Sequence, residues 1–236
     1  MPANCVIKQR RLSNFCGPCF VDGGYVRREL IRMISKDFFL RIFSMKKGVT
    51  LNTIEDKLSA LAECGFKLKD PFSVSDLIES WGRKSLDEDG FNLTLVCLGM
   101  TEECPPWTPH CDTLWHFDTE CIEGDGSYVA IGKRMAEMAQ GSLPLSDFTD
   151  HIDIDQGKAW LQFQCRDKLV HIDCKVQDDW VDAGVFGKFV DLLALHDPEK
   201  LFIYYDLGGQ DCIIGCATRN QFEKLKKLIP NVKPLA

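Results

Sequence analysis

Three histidines in this chain are each followed, two positions on, by an aspartate: His116 with Asp118, His151 with Asp153, and His171 with Asp173. On a strand, residues two apart project from one face, so each pair offers an imidazole beside a carboxylate. Non-haem iron oxygenases combine such a pair with a distant second histidine as a facial triad, and His116, Asp118 and His171 have a suitable separation for one. That fold is a helix-poor double sheet, however, whereas here long helical patterns interrupt the strands. No arginine is clearly placed to hold an oxo-acid cosubstrate. His–Asp pairs exposed on the surface or satisfied in the core are the simpler reading. The expectation is therefore no cofactor and no enzymatic activity. The alternative is a metal-dependent enzyme, non-haem iron or zinc, built on His116, Asp118 and His171.

Other reactive residues are weighed the same way. Cys16-Gly-Pro-Cys19 copies the thioredoxin tetrapeptide, whose chemistry needs the first cysteine at a helix N-terminus after a buried strand. The preceding Lys-Gln-Arg-Arg-Leu-Ser-Asn-Phe is no buried strand, and the following Phe-Val-Asp-Gly-Gly is no helix start. Cys104, His110, Cys111, His116 and Cys121 include zinc-ligand types but lack a Cys-x2–4-Cys knuckle; the proline-rich piece from Cys104 to Cys111 reads as a hairpin loop. Nucleophilic hydrolysis needs a cysteine or serine with histidine and carboxylate in reach. With twelve cysteines and five histidines, some Cys–His pairing arises by chance. There is no Gly-x-Ser-x-Gly elbow and no glycine-rich phosphate loop.

Twelve irregularly spaced cysteines in 236 residues read as reduced thiols of a cytoplasmic protein, since a chain this long does not need stapling. No apolar run approaches the ~20 residues of a membrane span, and the N-terminus has no apolar signal core. Charge is split unevenly. Residues 1–47 carry ten Lys/Arg against Asp22, Glu29 and Asp37, whereas the remaining 189 residues carry 18 basic and 32 acidic side chains. Either the basic arm docks on the acidic body, or the body attracts a basic partner, because an acidic surface steers cationic proteins and repels nucleic acid.

The elements that must position these residues follow from periodicity. Val26, Leu30, Ile34, Phe38 and Ile42 recur every four residues among arginines and lysines, as in an amphipathic helix with a basic side. A second helix starts near Thr50 to Thr53, with Glu55 three residues after Asn52, and ends at Gly65; a third runs from about Ser73 to Trp81. That third helix, Asp-Leu-Ile-Glu-Ser-Trp, is acidic and lacks the side chains that read base edges, so no nucleic acid is expected. Arg83 to Gly90 reads as the boundary between a helical region, 1–90, and an α+β domain, 91–236.

From Asn92 the pattern predicts two strands and a helix three times over: strands 93–100 and 114–122 with a helix from Ser127 to Gln140; strands 158–165 and 168–176 with a helix from Val181 to Leu195; strands 201–207 and 210–216 with a helix from Thr218 to Ile229. Gly208-Gly209 marks a tight hairpin, and 147–155 reads as a charged edge strand. The predicted fold class is α+β: an N-terminal helical region, then a mostly antiparallel sheet of repeated ββα units with helices on one face.

The stretches Asp112–Val129, Val176–Phe189 and Phe202–Cys216 resemble the small intracellular proteins that bacteria encode beside secreted toxins, the immunity proteins. The resemblance covers most of residues 50–230 and implies a stoichiometric inhibitor that binds a cognate toxin domain, with no membrane involved and a monomer or small homo-oligomer. No functional residue is carried over by motif. From the residues themselves, carboxylates and aromatics on a sheet face or on hairpin loops suit a cationic cleft. The candidate partner-binding surface is His116, Asp118, Glu120, Glu123, Asp125, Asp178, Asp179, Trp180, Asp206 and Asp211.

Overall fold

The computed structural model describes residues 53–102 and 107–236. The Cys16–Cys19 tetrapeptide, the basic helical pattern near residues 24–45 and Cys104 lie outside the described residues.

The chain enters α1 (Ile54–Glu63) at Thr53, whose hydroxyl accepts from the Asp56 N–H, and leaves it through Gly65 at φ +94°, a conformation that glycine adopts without strain. α2 (Val74–Trp81) starts with a full capping box, Ser73 with Asp76. The charged run after it is not a linker: Arg83–Glu88 forms α3. Its C-terminal carbonyls are closed by Lys57, a buried residue on α1 whose Nζ donates to Leu86 O (2.5 Å), Asp87 O (3.0 Å) and Asp89 O. Three donors meeting three carbonyls at a helix end satisfy groups that the helix itself cannot.

The predicted strand 93–100 is a helix, α4 (Asn92–Gly99). Leu93 to Gly99 are all buried, so the segment is apolar on every side and carries no 3.6-residue stripe. A short apolar run of this kind reads equally as a buried strand. Asp89 starts it, its carboxylate accepting from the Leu93 N–H at 2.7 Å. Two short strands follow, β1 (Thr101–Glu102) and β2 (Thr108–Pro109), paired antiparallel.

Two larger antiparallel sheets carry the rest. One contains β3 (Leu114–Asp118), β7 (Lys200–Gly208), β8 (Asp211–Thr218) and β9 (Lys233–Pro234), in the order β3-β8-β7-β9. The other is a meander of β4 (Leu145–Asp153), β5 (Lys158–Cys165) and β6 (Lys168–Cys174). Between and around them lie α5 (Ser127–Met138), α6 (Gly184–His196) and α7 (Arg219–Leu228). The expected edge strand at 147–155 is β4, and the Gly208-Gly209 hairpin joins β7 to β8, both glycines at positive φ.

Helices cover both faces of the four-stranded sheet, not one. On one face Ile203, Tyr205, Ile213 and Ala217 pack with Leu61, Phe66, Leu95, Leu98, Phe222 and Leu225, which come from α1, the loop after it, α4 and α7. On the other, Phe117, Phe202, Cys212, Ile214 and Cys216 pack with Ile131, Met135, Phe186, Phe189 and Leu193 of α5 and α6, and through them with Leu161 and Phe163 of the meander. The layers are therefore meander, helices, sheet, helices. β8 explains why: Cys212 to Ala217 are buried in succession, and a strand with no polar alternation must be covered twice. β5 alternates strictly, with Ala159, Leu161, Phe163 and Cys165 buried and Trp160, Gln162 and Gln164 turned outward. One face of the meander is accordingly open.

The repeat of three ββα units does not hold. The first unit is helix–strand–helix, the second is a three-stranded meander with its helix, and the third is the hairpin plus α7. What holds is an α+β chain of N-terminal helices followed by antiparallel sheets with helices among them. No described helix is long and apolar enough to cross a membrane.

Candidate functional site

β3 and β8 run antiparallel with Asp118 opposite Asp211, and β7 sets Asp206 opposite Cys212. These three aspartates therefore finish at one end of the four-stranded sheet. Asp118 is held there by Gln210, whose Nε2 donates to both carboxylate oxygens at 3.3 Å, and by the Glu120 N–H at 2.9 Å. Asp206 accepts from the Gly208 N–H at 2.8 Å within the hairpin. Asp118 and Asp206 are thus held by hydrogen bonds while exposed, and Asp211 is half-buried.

The chain beyond β3 extends this rim. Thr119 donates to Gln210 O through both its N–H and its hydroxyl, and its own carbonyl accepts from Val181 N at 2.9 Å. Glu120 forms an antiparallel bridge with Trp180, and Ile122 N donates to Asp179 O at 2.9 Å. Segments 119–122 and 177–181 are thereby laid side by side. Glu120, Asp178, Asp179 and Trp180 are exposed along them, Trp180 by 42%.

The field of this rim is felt by the thiols beneath it. Burial raises Cys121 to about 12, and the negative charges of Asp118, Asp179 and Glu123 push in the same direction. Cys212 is likewise raised to about 12, by burial first and then by Asp211, Asp206 and Asp118. Both thiols are therefore kept protonated and neutral at neutral pH, and the Asp118 charge acts on both.

Two of the expected surface residues stand apart. Asp125 is tied to β4, its Oδ1 accepting from Ile152 N at 2.6 Å with His151 Nδ1 at 3.4 Å. His116 is half-buried below the rim, on the α4 side of β3, with Nε2 3.4 Å from Asp211 Oδ1. That nitrogen is inaccessible and makes no hydrogen bond of good geometry, so what His116 exposes is the rest of its ring. Sequence reasoning missed Gln210 and Thr119, which bind the hairpin to the end of β3. Residues 210 and 119 are 91 apart, and no local pattern joins them.

Of the His-x-Asp pairs, only His171 and Asp173 meet as the alternation predicts, at 3.2 Å. They share the open face of the meander with Trp160, which lies between His151 and His171 at ring-centroid distances of 6.2 and 5.5 Å. His171 thus stands on a different sheet from His116 and Asp118. Among the described residues no group of three or more His, Cys, Asp or Glu side chains is gathered so as to hold a metal ion. The imidazole of His110 is spent on the Cys97 carbonyl at 2.8 Å and on the Phe72 ring. A wide-open groove of about 500 Å³ lies beside β6, lined in part by His171, Gly184, Gly187, Lys188 and Asp191.

The rim has the composition to bind a cationic group. It presents the carboxylates of Asp118, Asp206, Asp211, Glu120, Asp178 and Asp179 and the exposed indole of Trp180, with the His116 imidazole 3.4 Å from Asp211. Compared with known proteins, the chain matches no family model, no curated protein and no solved structure.

Proposed function

We propose that this chain is an immunity-type protein of the bacterial cytoplasm, which binds a cognate toxin domain and neutralises it by occluding a basic site with its acidic rim. The observation that carries this reading is the placing of Asp118, Asp206 and Asp211 at one end of the four-stranded sheet, with Glu120, Asp178, Asp179 and Trp180 exposed on the two segments laid side by side beyond β3. An exposed indole on a rim rich in carboxylates has the composition of a protein-binding hot spot for a cationic partner: the aromatic supplies apolar burial, and the acids supply orientation and a fast encounter. The formal net charge of −7 acts in the same sense and disfavours nucleic acid as the partner. The protein is taken to act without cofactor or membrane, as a monomer or small homo-oligomer.

The test is to express the product of the reading frame adjacent to this gene and to measure complex formation and neutralisation. A complex is expected whose affinity falls as salt is raised. The triple variant Asp118→Lys, Asp179→Lys, Asp206→Lys should bind weaker by about 100-fold, since close interfacial charge pairs couple by several kcal/mol. Full protection by that variant would sink the proposed surface.

A further inference from the structure

Away from the rim, β5 ends at Cys165 and α6 ends at His196, and the two side chains meet, with Sγ 3.2 Å from Nε2. Cys165 is the last of the inward row Ala159, Leu161, Phe163, Cys165, paired with Leu145 on one side and Lys168 on the other. Cys165 is buried, 7% exposed as a residue, while His196 is half-buried. The ring lies in the last turn of a 13-residue helix. An imidazole in contact with a thiol can act as the base that activates it.

This contact sets Cys165 apart from the other described thiols. Burial raises the thiols of Cys64, Cys97, Cys121, Cys174, Cys212 and Cys216, which holds them protonated and inert. Cys111 faces the Thr113 hydroxyl. Among the described cysteines, Cys165 is the one whose sulfur lies against an imidazole. The charged groups around the pair are otherwise engaged or turned outward. Asp197 accepts from Ser142 Oγ at 2.7 Å and stands 4.0 Å from Lys200 Nζ; Arg166, Asp167 and Lys168 of the β5–β6 turn are exposed. Among the described residues no carboxylate is seen to orient His196 as in a hydrolytic triad. A cysteine and a histidine alone suffice for thiol exchange, which needs a thiolate and a proton donor for the leaving thiol.

We propose that Cys165 and His196 form a thiol-exchange site at which a small disulfide is captured as a mixed disulfide. In that step His196 takes the Cys165 proton, and the thiolate attacks one sulfur of the disulfide RSSR. The new Cys165–S–S–R bond forms as the old S–S bond breaks, and the departing RS⁻ takes the proton back from His196 as RSH. The Cys165 sulfur is oxidised and one sulfur of the small disulfide is reduced, with no other reactant. A small disulfide is required, since a sulfur this covered does not admit a disulfide held in a folded protein.

The experiment treats the full-length reduced protein with 2,2′-dithiodipyridine across about pH 5 to 9, quenches at intervals, and follows each cysteine by peptide mass mapping. At about pH 6 the Cys165 peptide should be modified roughly tenfold faster than those of Cys97, Cys212 and Cys216. His196→Asn should remove most of that lead at about pH 6 and little of it at about pH 9, while the other buried thiols stay slow. If His196→Asn unfolds the protein, all the buried thiols react together, and the ranking of the thiols in the unaltered protein decides alone. A Cys165 rate no faster than the other buried thiols would overturn the site.

Discussion

Glu55 and Arg83 illustrate how much a single side chain's role depends on a partner that the local sequence does not announce. Arg83 Nη2 donates to Glu55 Oε1 at 2.8 Å and Nη1 to Oε2 at 3.1 Å, a bidentate fork across 28 residues. This pairing, chiefly, holds the Glu55 carboxyl at about 2 in place of the ordinary 4.5. The sequence pattern assigned Glu55 to a capping box with Asn52, but the observed cap is Thr53 with Asp56, and the glutamate is committed elsewhere. A carboxyl with a depressed folded value binds fewer protons folded than unfolded. Its contribution is therefore present above the ordinary value and is lost as pH falls from about 4.5 towards 2. Both side chains are about half exposed, so the effect on stability is small and screened by salt. The expected outcome is a Glu55 carboxyl resonance titrating near 2 by NMR, moving up towards 4.5 in Arg83→Gln. An unchanged midpoint in the variant would mean that Arg83 is not the cause.

At the scale of elements, those with a polar side were legible and those without one were not. α1, α2, α5, α6 and α7 each have an apolar stripe and, for α1, α2 and α7, a hydroxyl cap; the β7–β8 hairpin has its two glycines. α4 has neither, because Leu93–Gly99 is enclosed on all sides. Its true signature is a contact. A β-carbon on Gly99 would lie 2.4 Å from His116 N and 2.9 Å from Trp115 C, so the helix touches the backbone of β3 through the one residue without a side chain. By helix propensity alone, Gly99→Ala gains up to about 1 kcal/mol. Here the contact is with backbone, which cannot rotate away, and overpacking should win by about 2 kcal/mol net destabilisation. Urea unfolding checks this against Gly90→Ala, where an added β-carbon meets nothing within 4 Å and stability should barely change. Equal midpoints for the two variants would show that α4 can lift off β3 at no cost. The same enclosure explains the mistaken repeat: once 93–100 is a helix, Leu114–Asp118 pairs with β8, whose partnership lies about 100 residues along the chain and leaves no local trace.

For the whole molecule, the uneven charge was plain in the composition, but its focus at one end of a sheet depends on long-range register. That distinction yields a separable prediction for the proposed complex. Each acid-to-lysine exchange adds two charges, so three of them take the net charge from −7 to −1 wherever they are made. Reversal of Asp118, Asp179 and Asp206 changes the rim, whereas reversal of Asp167 in the β5–β6 turn, Glu199 before β7 and Glu223 on α7 changes only the overall field. Steering at a distance depends on the summed potential, and residence depends on contacts. Both triple variants should therefore associate more slowly at low salt, by roughly tenfold, with the difference fading as ionic strength rises. Only the rim variant should dissociate faster, by a further factor of about ten or more. Stopped-flow association and dissociation rates with the adjacent gene's product, across a salt series, read both effects. Should the two variants dissociate alike, the acids would matter only as bulk charge, and the occluding surface would have to be sought on another face, the open side of the meander around Trp160 being the next to mutate.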